Sequence, residues 1–198
     1  KPQIDLSFAN VLRAMLRHDP DIIMVGEIRD LETAEIAIQA ALTGHLVLST
    51  LHTNNAAGTL MRLLDMGAEA FLLASTLNAV IAQRLVRRLC EACRQPQKPL
   101  PDMLRQLGLD PGEVSTFWQP EGCDACRQSG YLGRVCISEV LVMSDVIRQQ
   151  VLNRTDATAL QKAARDDGMR PMFLDGLDKA KAGVTTLEEV LRVTREAK

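Results

Sequence analysis

The sequence predicts an α/β fold with parallel strands, joined to a small four-cysteine subdomain and followed by C-terminal helices. Two short apolar runs, Ile22–Val25 and Leu46–Ser49, flank a segment with helical periodicity, as in a strand–helix–strand crossover. Two Cys-x-x-Cys pairs bracket a proline-rich stretch, and the segment after about Ser138 returns to a helical pattern.

Taken in order, Ser7 is placed to cap a helix over residues 8–18, with Phe8, Leu12, Met15 and Leu16 on one face and Pro20 as its stop. Ile22–Val25 then reads as a strand buried on both faces of a parallel sheet. Asp30 caps a helix over residues 31–43, whose Ala34, Ile36, Ala37, Ile38 and Ala41 form a broad apolar side ending at Gly44. Leu46–Ser49 is a second buried strand. Such a crossover puts the C-terminal ends of both strands on one sheet edge, where catalytic loops belong. Asn55 caps a helix ending near Gly67, and a long apolar helix is expected over residues 70–89. Prolines 96, 99, 101, 111 and 120 lie between the cysteine pairs, a composition of loops held by a staple. Thr185 and Glu188 form a capping box for a last helix reaching about Lys198. The expected domains are therefore 1–89, a nucleotide-site core; 90–131, a tetracysteine subdomain; and 132–198, a helical region.

Composition narrows the function. A hydrophobic content of 46% can fill a core, so disorder is excluded for most of the chain. With 23 basic and 25 acidic residues the net charge is -2, which argues against nucleic acid as a partner. No apolar run reaches the roughly 18 residues of a membrane span. Five cysteines, four of them in two pairs, suit metal ligation in a reducing compartment and hence the cytoplasm.

Three segments carry chemistry. In the first, an apolar strand ends in Gly26 and Glu27, so a carboxylate at the sheet edge can orient water or hold Mg²⁺ beside a nucleotide. The plainer alternative is a capped helix start in which Glu27, Arg29 and Asp30 form a surface ion pair. In the second, Thr50, His52 and Thr53 follow the next strand on the same edge, within reach of one phosphate. There His52 suits a sensor of the γ-phosphate, the plainer alternative being a side chain that satisfies loop carbonyls, whereas His45, at a strand start, suits that structural role. The third is Cys90 and Cys93 with Cys123 and Cys126, a closed four-thiolate set for a structural Zn²⁺, with a disulfide or redox pairing as the alternative. The intervening loop, residues 94–122, is longer than the roughly 15 to 20 residues of common zinc ribbons. Each doubling of loop length costs only about 0.6 kcal/mol. Arg87, Arg88, Arg94 and Arg127 flank the cysteines, either offsetting thiolate charge or forming a solvated basic face.

The series LSFANVLRAMLRHDPDIIMVGEIRDLETAEIAIQAALTGHLVLSTLHTN, followed by IAQRLVRRLC, resembles the type II secretion and type IV pilus assembly ATPase family along nearly the whole chain. The resemblance implies part of a RecA-like P-loop NTPase core, working as a homo-hexamer with ATP and Mg²⁺. It assigns Gly26 and Glu27 to the Walker B box and His52 to the histidine box, with Glu27 activating the attacking water and His52 sensing the γ-phosphate. Gly26, Arg29, Thr50 and Thr53 would lie about the nucleotide. Gly26 stands where many P-loop proteins hold Mg²⁺ with Asp, which leaves the metal ligand open, and His18 stands where the family usually has Gln. No GxxxxGK[ST] occurs among the 198 residues, nor does the family's preceding acidic box, so the chain alone is expected not to hydrolyse ATP efficiently. The tetracysteine module favours assembly or secretion motors over retraction motors.

GYLGRVCISEVL resembles the family's GYxGRxGxxEVL, with Cys136 in place of a small residue and expected to be buried. The tail GLDKAKAGVTTLEEVLRVTRE also resembles family members, and its alternating charges suggest a solvated helix face. Implied partners are an inner-membrane platform protein and a membrane-recruiting component, with the motor cytoplasmic and peripheral at the inner membrane. Two other classes compete: a zinc-organised, non-catalytic interaction module, and a DNA-translocating motor, which the charge balance disfavours.

Overall fold

The computed structural model describes residues 8–18, 20–98, 104–105, 108 and 116–195. The Ser7 cap, Asp19, Pro99, Pro101, Pro111 and the last three residues lie outside them. The described elements are α1 (Phe8–Met15), β1 (Ile22–Val25), α2 (Leu31–Leu42), β2 (Leu46–Ser49), α3 (Ala56–Asp65), α4 (Ala70–Thr76), β3 (Ala79–Leu89), β4 (Gln95–Gln97), β5 (Phe117–Gln119), β6 (Tyr131–Val142), α5 (Asp145–Leu152), α6 (Ala157–Asp166), α7 (Met172–Lys181) and α8 (Leu187–Arg195). Contacts divide the chain into two compact units, residues 1–81 with 140–169, and residues 82–139 with 170–198. The boundary falls inside β3 and β6, which pair with each other.

In the first unit, β1 and β2 are parallel, registered from Ile22 opposite Leu46 to Val25 opposite Ser49. The connecting helix begins as the sequence predicts, the Thr33 N–H donating to Asp30 Oδ1 at 2.8 Å. After Thr43 the backbone turns through Gly44 at φ +100°, a conformation that only glycine adopts without strain. Ile23, Val25, Ile36, Ala37 and Ala40 form a buried cluster with Ile28 and Val47 against it. The other strand face departs from expectation: Ile22 is 60% and Met24 74% exposed, and Leu46 and Leu48 are exposed too. Among the described residues the four-residue strands are covered on one side, by α2. Further along, Asn55 caps α3 through the Gly58 N–H (2.7 Å), as predicted.

The long helix expected over residues 70–89 is absent. A seven-residue α4 stops at Thr76, and an eleven-residue strand follows. The helical pattern expected from Ser138 is likewise replaced by β6, and helix resumes only at Asp145, where Ser144 caps α5.

In the second unit, β4 and β5 are antiparallel, with Pro96 opposite Trp118. Helices α7 and α8 pack closely: a Cβ on Gly176 would sit 2.6 Å from Val190 Cγ1, so no larger residue fits without displacing that side chain. The last cap lies one residue later than predicted, the Thr186 hydroxyl oxygen accepting from the Glu189 N–H (3.2 Å). Thr185 instead donates its hydroxyl to the Arg87 carbonyl (2.7 Å). The tail is not a uniformly solvated face either, because Glu189 is buried along with Leu187 and Val190. Among the described residues no helix is long and apolar enough to cross a membrane.

Candidate functional site

Parallel pairing of β1 and β2 brings the two loops at their C-terminal ends together. Glu27 leaves β1 two residues after Val25, and His52 follows β2 by three. Their side chains meet, with His52 Nε2 3.3 Å from Glu27 Oε2. The other carboxylate oxygen, Oε1, pairs with Arg29 Nη2 at 2.5 Å. Hydrogen bonding from Arg29, helped by its charge and by His52, outweighs partial desolvation and holds the Glu27 carboxyl below its ordinary value. Glu27 is 21% exposed, while the side chains of His52 and Arg29 are 90% and 70% exposed, so both face solvent beside a more sheltered carboxylate.

Thr50 ties the loops together. Its hydroxyl donates to the Gly26 carbonyl oxygen (2.7 Å), and its own carbonyl accepts from the Ile28 N–H (3.0 Å). Thr53 shares a 2.7 Å hydroxyl contact with Thr59, which is buried on α3. Thr59 was not among the sequence candidates; its only signal is its position in the first turn of a helix capped by Asn55. The structure thus gathers Gly26, Glu27, Arg29, Thr50 and His52 on one edge, with Thr53 held against α3. The ion-pair alternative is present as well: Arg29 pairs with Glu27 while Asp30 caps α2. His45 sits apart, its Nδ1 3.0 Å from both the Ala40 carbonyl and the Thr43 hydroxyl, as suits a structural side chain.

The four cysteines converge in the second unit. All four Sγ atoms lie within 4.8 Å of one another, with Cys90–Cys123 at 3.9 Å, Cys93–Cys126 at 3.8 Å and Cys123–Cys126 at 3.7 Å. A tetrahedral zinc with bonds of about 2.3 Å requires sulfur separations of about 3.8 Å, so the donor set fits this ion. Cys90, Cys93 and Cys126 are buried. Burial opposes charge on the Cys126 thiol, but N–H groups of Cys123 and Gly130, each 3.2 Å from its sulfur, prevail and pull it toward thiolate. Burial pushes the Cys93 thiol up instead.

The surrounding arginines have other partners. Arg87 pairs with Glu189 (2.8 Å) and lies over the Tyr131 ring, Arg88 pairs with Glu91, and Arg94 stacks over Trp118 while donating to the Gly183 carbonyl (2.5 Å). Cys136 is not buried as expected; it is partly exposed, with its sulfur 3.6 Å from Gln83 Oε1, because it faces outward from β6 beside buried Ile137.

A family profile described as "Type II/IV secretion system protein" matches residues 1–192. Type II secretion system protein E of Xanthomonas campestris pv. campestris is 54% identical over 200 residues, covering 100% of this chain and 35% of that protein. Type IV pilus assembly ATPase PilB of Thermus thermophilus is 52% identical over 197 residues, covering 98% of this chain and 22% of that protein. This chain therefore spans about a third or less of the length of these relatives. In structure it is similar to the pilus retraction motor PilT with bound ADP, at a TM-score of 0.65 and 31% identity over 94% of this chain and 43% of that one. It is also similar to the ATPase DotB of Legionella pneumophila, at a TM-score of 0.64 and 26% identity over 96% of this chain and 43% of that one. The chain belongs to the type II/IV secretion system protein family.

Proposed function

We propose that this chain is the C-terminal part of a hexameric motor ATPase that couples ATP hydrolysis to pilus or pseudopilus subunit assembly. The observation that carries the proposal is the 3.3 Å approach of His52 to Glu27 at the C-terminal edge of the parallel strand pair. Similarity to proteins named as ATPases supports it. In this reading Glu27 takes a proton from water as the water oxygen bonds to the γ-phosphorus and the bond to the β–γ bridging oxygen breaks, releasing ADP. Bound Mg²⁺ would neutralise phosphate charge. His52 donates to a γ-phosphate oxygen and loses that contact after hydrolysis, which is how the site reports nucleotide state.

Arg29 has two tasks. Paired with Glu27, it keeps the carboxylate ionised but makes it a weaker base; its exposed guanidinium can turn to a phosphate when nucleotide arrives, restoring basicity. The phosphate-binding loop comes from sequence outside these 198 residues. The four cysteines hold a structural Zn²⁺. An inner-membrane platform protein and a recruiting component complete the machine, placing it at the cytoplasmic face of the inner membrane.

Glu27→Gln in the complete protein tests this directly. The amide keeps the shape but cannot accept the proton, so turnover falls by at least about a hundredfold while nucleotide affinity survives. Unchanged turnover, or a complete wild-type protein without ATPase activity, favours the zinc-organised interaction module instead.

A further inference from the structure

We propose that Thr50 is a positioning residue that presents Glu27 by fastening both of its chain neighbours, rather than a group that contacts phosphate. This rests on the motor reading for its catalytic consequence, though not for its geometry.

The ladder of β1 and β2 ends at the Val25–Ser49 pair. Beyond it, two successive links reach the same residue: Gly26 through its carbonyl, to the Thr50 hydroxyl at 2.7 Å, and Ile28 through its N–H, to the Thr50 carbonyl at 3.0 Å. In a regular parallel ladder a residue links to the carbonyl before and the N–H after its partner, so these two links set Thr50 opposite Glu27, one residue out of step with the Val25–Ser49 register, as a bulge does. The Glu27 carboxylate emerges there toward His52 and Arg29.

A threonine hydroxyl has one proton to donate. Here it goes to the Gly26 carbonyl, so direct donation from Thr50 to a phosphate would sacrifice the bond that holds the base. The same residue begins the loop bearing His52, so Thr50 joins that loop to the backbone on both sides of Glu27.

Thr50→Val preserves the branched shape and removes the donor, while Thr50→Ser keeps the donor and removes the methyl. In the complete protein, Thr50→Val is expected to lower kcat about fivefold with KM for ATP changed less than about twofold, and Thr50→Ser to restore most of the rate. Amide hydrogen exchange over residues 26–30, read without nucleotide, should quicken in Thr50→Val and stay at the wild-type rate in Thr50→Ser. Should the valine variant fail to fold, Thr50→Ala beside Thr50→Ser provides the same comparison. Unchanged exchange in the variant lacking the hydroxyl overturns the fastening role. A raised KM with normal kcat overturns it in favour of a nucleotide contact, and serine behaving like valine overturns it in favour of methyl packing. Quickened exchange in Thr50→Val, in a complete protein whose wild type hydrolyses no ATP, would leave the fastening in place and sink the motor reading alone.

Discussion

At the scale of single residues, the Glu27–Arg29 pair makes a prediction about pH. A carboxylate base works only when ionised, so activity falls as pH drops through its pKa. Arg29 holds that pKa below its ordinary value, with His52 adding to the effect against desolvation. Removing the guanidinium raises the pKa, and the acidic limb of the rate profile must move up with it. In the complete protein, Arg29→Ala should therefore shift the acidic limb of kcat/KM to higher pH, whereas Arg29→Lys should shift it less. A limb that stays in place or moves down would show that Glu27 is not the titrating base. Glu27, His52 and all four cysteines are legible from sequence because each depends on local order: an apolar strand followed by a polar loop, or a two-residue gap between thiols. The partner relations are less legible. Nothing in the spacing of Thr50 says that its hydroxyl turns back to Gly26 rather than out to a ligand.

At the scale of elements, caps and crossovers follow the sequence closely, and two strands do not. Asp30 and Asn55 cap α2 and α3 where predicted because an Asx side chain ahead of an apolar periodic run is a local signal. In β3, by contrast, Ala, Leu, Gln and Arg are strong helix formers, and their propensity masks the two-residue alternation that buries Val80, Ala82 and Val86. In β6 the inward row includes Glu139, a charged residue that breaks the expected apolar pattern; it is buried, and one of its oxygens accepts from Met172 N–H (3.0 Å) at the start of α7. Tertiary contacts override the local code there.

The same kind of long-range contact holds β3 to α8. Glu189 accepts from Arg192 through both oxygens, and from the Arg87 side chain and N–H. Hydrogen bonding from Arg192, then Arg87, outweighs burial and lowers its pKa from 4.5 to about 2. Since the folded value lies below the unfolded one, the associated stability is fully present above about pH 4.5 and is lost as pH falls toward 2. Both arginine side chains are about half exposed, so solvent trims the contribution to about 2 kcal/mol. Denaturant unfolding of wild type and Glu189→Gln at pH 6 and pH 3 should show the gap between them narrowing at the lower pH. A constant gap would mean that the charge contributes nothing and only side-chain shape matters.

At the scale of the whole molecule, the question is what keeps the second unit folded. Its strands β4 and β5 have three residues each, too short to be stable alone. The buried cysteine cluster adds to an apolar core that includes Val86, Leu89, Ile137, Leu177, Leu187 and Val190. It is also joined to its surroundings by backbone bonds, from the Cys90 N–H to the Gly130 carbonyl and from the Leu89 N–H to the Val184 carbonyl. Zinc binding would supply folding energy here because the unfolded chain has no preformed site. Removing the ion should then leave mutually repelling or unpaired sulfurs in a poorly hydrated cluster and loosen residues 82–139 and 170–198 before the β1–β2 pair, whose core of Ile23, Val25, Ile36, Ala37 and Ala40 contains no cysteine. Elemental analysis of the complete protein should accordingly find one zinc per chain. Hydrogen exchange after chelation should rise first around the cysteines, in β4 and in β5, while β1 and β2 remain protected. Uniform loss of protection throughout the chain would show that the metal stabilises the molecule as one cooperative body, and unaltered protection would show that the cysteine cluster folds without it.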